Sequence, residues 1–92
     1  MAHMILTYEI RPEDGDVEYS KLEEVTKLTI KNFDSTVNIK YMKEKPMGFG
    51  LKAVEINFSI DEKYGTDAIE EALKAKKEIG DAICLSMSRA LG

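Results

Sequence analysis

Histidine and cysteine are almost missing from this chain, and each shortage removes a class of chemistry. The 92 residues hold one cysteine, Cys84, and one histidine, His3. A lone cysteine makes no internal disulfide and no thiolate metal cluster, and it carries no sign of secretion. Placed in an alternating segment, Cys84 reads as a small packed hydrophobe rather than a nucleophile. His3 lies in Met1-Ala2-His3, which reads as a vector-derived remnant ahead of a native Met4. Residues 1–3 are therefore set apart, and residues 4–92 form one domain. Without His3, neither a Ser/His/Asp nor a Cys/His arrangement can be assembled. No apolar run approaches the length of a membrane span and no secretory leader pattern is present, so the cytoplasm is the expected compartment. A basic surplus is missing too. Thirteen Lys and Arg against 17 Asp and Glu give a net charge of −4, which argues against direct binding of a nucleic-acid backbone.

The carboxylates and glycines do not restore a catalytic centre. Glu23-Glu24 and Glu70-Glu71 are neighbours on helical segments, where adjacent residues diverge by about 100° and form a solvated face. Asp61-Glu62 is a pair in a turn, too few ligands for a metal. Gly48-Phe49-Gly50 lacks the lysine, threonine and following helix of a phosphate-binding loop. No cofactor, no metal and no covalent chemistry are expected.

What the chain does have is periodicity. A hydrophobic content of 43% and a charged content of 33% fit a single globular core. Met4 to Arg11 alternates as a strand, with Leu6, Tyr8 and Ile10 on one face and Ile5, Thr7 and Glu9 on the other, and closes at Pro12. Val17 to about Asn32 carries Leu22, Val25, Leu28 and Thr29 at helical spacing, with Asp16 or Ser20 as cap. Phe33 folds back onto the core. Thr36 to Lys43 alternates again, with Val37, Ile39 and Tyr41 on one face. Pro46 to Gly50 breaks the chain in a loop longer than a tight two-residue turn. Lys52, Val54, Ile56, Phe58 and Ile60 then share one face of a central strand. Thr66 or Asp67 caps a second helix, with Ile69, Ala72, Leu73 and Ala75 as its stripe and Gly80 as C-cap. Ala82 to Met87 is the last strand, with Ile83, Leu85 and Met87 inward.

Strand, helix, strand, strand, helix, strand is the ferredoxin-like βαββαβ arrangement of an α+β sandwich. Right-handed crossovers give a four-stranded antiparallel sheet in the order 4-1-3-2, with two helices on one face. The Phe49 loop then lies at one end of the sheet. Arg89 lies at the other, near the start of the second helix. Strands of about eight residues separate them by roughly 25 Å. An RNA-recognition motif shares this topology, and Met47-Gly48-Phe49-Gly50-Leu51 matches its third-strand signature at the glycines and one aromatic. Met47 replaces the basic residue, Leu51 replaces the second ring, and Tyr8 faces the helices, which weakens that reading. A regulatory module dimerising through Thr7, Glu9, Ala53, Glu55 and Asn57 of the open face is a further alternative.

Lys45-Pro46-Met47-Gly48-Phe49-Gly50-Leu51-Lys52-Ala53 resembles the proline, any residue, Gly-aromatic-Gly-aliphatic-Lys stretch of the archaeal elongation factor 1-beta family. Ile10-Arg11-Pro12 with Asp16-Val17, and Asp61-Glu62 with Gly65-Thr66-Asp67 and Glu70-Glu71, are similar to that family as well. Asp81-Ala82-Ile83 and Ser88-Arg89-Ala90-Leu91 fit more loosely. The resemblance spans Met4 to Leu91. It implies a guanine nucleotide exchange factor for elongation factor 1-alpha, the GTPase that carries aminoacyl-tRNA. It also implies a partner-binding segment of Pro46, Met47, Gly48, Phe49, Gly50 and Lys52. Arg89 would approach the partner's magnesium and phosphate region. Eukaryotic members present a lysine one residue before the end, whereas three residues follow Arg89 here. No direct nucleic acid and no membrane contact are implied, and the factor alone is expected to be a monomer.

Overall fold

Alternating segments pair into one sheet because each has an apolar face that two helices can cover. A computed structural model describes the backbone of residues 2–91 and the side chains of residues 3–89. Met1 and Gly92, the outer limits of the expected remnant and domain, lie outside the described residues. Strand β1 is Ala2–Pro12, helix α1 Tyr19–Phe33, β2 Asn38–Gly48 and β3 Leu51–Asp61. A 3₁₀ turn at Glu62–Tyr64 leads into α2, Thr66–Lys74, and β4 is Ile79–Leu91. The sheet runs β2-β3-β1-β4, all antiparallel, as the element order predicts. No described helix is long and apolar enough to cross a membrane.

The core lies between the sheet and the helices. Leu6, Tyr8 and Ile10 of β1 meet Phe58, Ile56 and Val54 of β3 in register, and all are fully buried. The Tyr8 and Phe58 rings stack at 6.0 Å. Leu22 and Ile30 of α1, and Ile69 and Leu73 of α2, close the other side.

Several boundaries and faces differ from the sequence expectation, each for a local reason. Helix α1 buries Leu22, Thr26, Thr29 and Ile30, and Leu28 is exposed, because its contact face runs along i, i+4, i+7 and i+8. Its entry has no side-chain cap. Asp16 instead gives its backbone N–H to Asp14 Oδ1 at 2.9 Å in the preceding turn. Helix α2 has Gly65 in its N-cap place and no side-chain cap, so Thr66 and Asp67 lie within its first turn. It stops at Lys74, so Gly80 is no C-cap. Gly80 is the extra residue between the pairs Arg11–Asp81 and Pro12–Ile79, a bulge where a Cβ would lie 2.7 Å from the Pro12 carbonyl oxygen.

Further extra residues flip side chains across the sheet. Lys40 bulges between Ile39 and Tyr41, so Tyr41 moves to the open face and Met42 to the helix face. Leu85 bulges between Cys84 and Ser86. Ala82, opposite Ile10, therefore takes the inward place, and Ile83 pairs with Glu9 on the open face. Leu85 is exposed, and Met87 faces the helix side beyond the reach of α2. Cys84 is exposed on this edge strand rather than packed inside.

Candidate functional site

At one end of the sheet, β2 and β3 are joined by a turn shorter than the sequence suggests. Gly48 pairs with Leu51, leaving only Phe49 and Gly50 between them. Both central residues have positive φ, 54° at Phe49 and 77° at Gly50, and Gly48 before them has φ 84°. Positive φ at both central residues is the signature of the type I′ turn, whose twist matches that of the flanking strands. Pro46 does not break the chain. It pairs with Lys52 inside β2, and an edge strand tolerates the missing donor. Met47 is the bulged residue between Pro46 and Gly48.

The left-handed conformation suits Gly50 and strains Phe49, at about 1–2 kcal/mol for an ordinary side chain. The strain brings no internal contact in return, because the Phe49 side chain is fully exposed at 105% of its reference area. An apolar ring held strained in water is a feature that folding alone does not favour. Lys52 Nζ lies 3.4 Å from Glu44 Oε1 on the adjacent edge of the same hairpin.

Charges on the open face hold the base of this hairpin. Glu9 of β1 lies between Arg11 Nε and Lys45 Nζ, each at 2.7 Å. Lys45 belongs to β2, two strands away, and Ala53 of the intervening β3 is fully buried although it faces outward. The Lys45 ammonium, opposed by burial and aided by Arg11, holds the Glu9 carboxyl below the usual glutamate range. Next to it, Glu55 accepts from Tyr41 Oη at 2.9 Å and faces Lys43 Nζ at 3.3 Å. The tyrosine hydroxyl, followed by Lys43, lowers the Glu55 pKa. Asn57 Nδ2 donates to Thr7 Oγ1 at 2.9 Å. The face considered for dimerisation is thus a network of paired charges and amides.

The opposite end carries Arg89. It pairs with Met4 in register, and Met4 pairs with Ile60 on its other side. Nine steps of β3 separate Ile60 from Leu51 beside the turn, about 30 Å at the usual strand rise. The two ends therefore span most of the molecule's 42 Å long axis, farther apart than the sequence estimate. Arg89 donates to Glu62 twice, Nε to Oε2 at 2.6 Å and Nη2 to Oε1 at 2.8 Å. The guanidinium holds the Glu62 carboxyl below its usual range. Met4, Met87 and Ser88 line a shallow groove beside this pair.

Among the expected site residues, Pro46, Met47, Gly48, Phe49, Gly50 and Lys52 all fall in one hairpin, and Arg89 stands at the far end. The roles of Glu9 and Glu62 were not read from the sequence. Parity puts Glu9 on the open face, but only the sheet order brings Lys45 to it. Phe49 sits in the turn, off the sheet surface on which an RNA-recognition motif would stack a base.

The fold and these two ends define a ferredoxin-like domain that presents a strained aromatic at one pole and an arginine–glutamate pair at the other. Residues 5–89 match the EF-1 guanine nucleotide exchange domain family, and the chain belongs to that family. Elongation factor 1-beta of Thermoplasma volcanium is 30% identical over 82 residues, which cover 88% of this chain and 90% of the relative. Elongation factor 1-beta of Caldivirga maquilingensis is 33% identical over 82 residues, 87% of each chain. Among solved structures, the ACT domain of a GTP pyrophosphokinase from Chlorobium tepidum is similar at a TM-score of 0.64 and 15% identity, covering 91% of this chain and 88% of that one. The designed protein Foldit4 has a TM-score of 0.60 at 13% identity, with 98% of each chain covered. Those two likenesses concern the fold alone. Family membership assigns the chain to translation elongation as a guanine nucleotide exchange domain.

Proposed function

We propose that this chain promotes exchange of GDP for GTP on elongation factor 1-alpha, the GTPase that carries aminoacyl-tRNA. The observation that carries the reading is Phe49, an apolar ring strained into the left-handed region and wholly exposed at the hairpin tip. Burial against a partner recovers the apolar contact that the free chain lacks, about 1.5–3 kcal/mol for a ring of this size. The hairpin from Pro46 to Lys52 binds a domain of the GTPase remote from its nucleotide. Arg89 acts at the magnesium and phosphate region. Magnesium neutralises phosphate charge, so disturbing its site loosens the nucleotide.

Coupling between the two ligands is reciprocal, and the factor is expelled as nucleotide rebinds. Exchange is accelerated in both directions, and GTP prevails by concentration. The factor makes and breaks no covalent bond, works in the cytoplasm and is a monomer until it meets the GTPase. Release of a fluorescent GDP analogue from elongation factor 1-alpha tests this. Wild type at catalytic amounts accelerates release, and Phe49→Ala and Arg89→Ala both reduce it. Absence of acceleration with an active GTPase contradicts the assignment.

A further inference from the structure

We infer that Glu62 is a positioning residue for exchange, holding the Arg89 guanidinium so that one of its edges is turned outward to the nucleotide site of the GTPase. This rests on the reading of Arg89 given above and adds a residue to it.

Arg89 belongs to an edge strand, where a long side chain has no neighbouring strand on one side to fix it. Glu62 belongs to a tethered turn. The Asp61 carboxylate accepts from Lys63 N at 3.0 Å, and Asp61 N donates to Asp34 Oδ2 at 3.4 Å. The Tyr64 ring meets Phe33, the last residue of α1, at 5.2 Å between centroids. The carboxylate is therefore presented from a turn fixed to the helix layer.

The contact is side-on. Both oxygens of Glu62 are used, one by Nε and one by Nη2. A guanidinium has five N–H donors in one plane, so the two Nη1 donors and the second Nη2 donor stay available. Among the described residues they make no hydrogen bond. Because the group is planar, fixing the Nε–Nη2 edge also fixes the direction of the Nη1–Nη2 edge. A carboxylate that competed with the partner's anion would take that outer edge; Glu62 takes the inner one. A lysine has no second edge and would gain nothing from such a partner.

The test uses the full chain and two readouts. Fluorescent GDP release is titrated with wild type, Glu62→Gln, Arg89→Ala and the double variant, after melting curves establish that each is folded. Glu62→Gln is expected to lower the maximal rate roughly tenfold through misorientation, with the half-saturating concentration unchanged. Glu62→Asp restores part of it, and Glu62→Gln has no further effect when Arg89 is already alanine. Independently of the GTPase, the Arg89 Nε–H resonance in nitrogen-15 NMR shows slowed rotation about Nε–Cζ, and Glu62→Gln abolishes the slowing. A Glu62→Gln variant that exchanges as fast as wild type, or faster, overturns the inference. So does an Arg89 Nε–H signal indifferent to Glu62. Wild type accelerating release with Arg89→Ala undiminished removes the Arg89 role while leaving the exchange function. No acceleration by wild type removes both.

Discussion

The two poles of this domain are built by different means. The hairpin pole is shaped by backbone: three consecutive residues with positive φ, a proline in an edge strand and a two-residue turn. The Arg89 pole is shaped by side chains: one fork of two hydrogen bonds joins residues 27 positions apart. A backbone device holds an apolar ring rigidly in water, as suits an anchor. A side-chain device sets the direction of a charge through a second side chain, as the action proposed for Arg89 on a charged site requires. Between them the sheet serves as a spacer of about 30 Å.

One core supports both poles. Phe58→Ala, which removes a fully buried ring stacked on Tyr8, is expected to cost about 3–5 kcal/mol. Urea unfolding should then show the two poles melting together, in a single transition displaced to lower denaturant. Two separate transitions would break the picture of a common spacer. Gly80→Ala strikes the bulge beside Pro12, where the added carbon meets backbone that cannot move aside. The expected loss is about 2 kcal/mol, with amide exchange quickened around the β1–β4 bulge.

Phe49→Asn sharpens the contrast, because it trades function for stability at one position. Asparagine accepts the left-handed region and makes the Asn-Gly pair that type I′ turns favour, so the free domain should gain about 1 kcal/mol. The same variant should need a higher concentration to drive nucleotide release. A loss of stability instead would mean that the ring contributes to the fold.

The smallest effect is the acid slope. Glu9, Glu55 and Glu62 all have folded-state values below the usual glutamate range. An unfolded chain binds protons on these groups first as pH falls, so their contribution is complete at neutral pH. It is lost as pH drops from the usual glutamate range through each lowered value. Glu9 is 5% exposed and should carry more of the slope than the half-exposed Glu62. Thermal melts between neutral and acid pH should flatten more with Glu9→Gln than with Glu62→Gln.

Much of this fold is legible because period-two segments with Val, Ile and Phe alternate with period-3.6 segments. The topology follows from their order alone, and parity places Leu6, Tyr8, Ile56 and Phe58 inside correctly. Bulges are where the reading stops. Lys40, Met47, Gly80 and Leu85 each add one residue to a ladder; the glycine is a local signal at position 80, but nothing local announces the bulges at Lys40 and Leu85. Each shift reassigns the residues beyond it, hence the misplaced Tyr41 and Leu85.

The hairpin segment was legible as a break between two strands, but its two-residue turn was not, since phenylalanine is a poor choice for a left-handed position. The violated preference is itself the signal, visible once Gly48–Leu51 pairing is known. At the other pole, the role proposed for Arg89 comes from family resemblance alone. Its partner Glu62 depends on where β4 ends relative to the turn after β3, which no local pattern encodes.

The central claim is that the poles divide the work, the hairpin anchoring and Arg89 acting. Steady titration of fluorescent GDP release with Phe49→Ala and Arg89→Ala measures that division directly. The account predicts that Phe49→Ala raises the half-saturating concentration roughly ten- to a hundredfold while the maximal rate persists, the worth of one buried ring. Arg89→Ala should lower the maximal rate at an unchanged half-saturating concentration. If both variants change the same parameter in the same way, the two poles form one binding surface and the division of labour is contradicted.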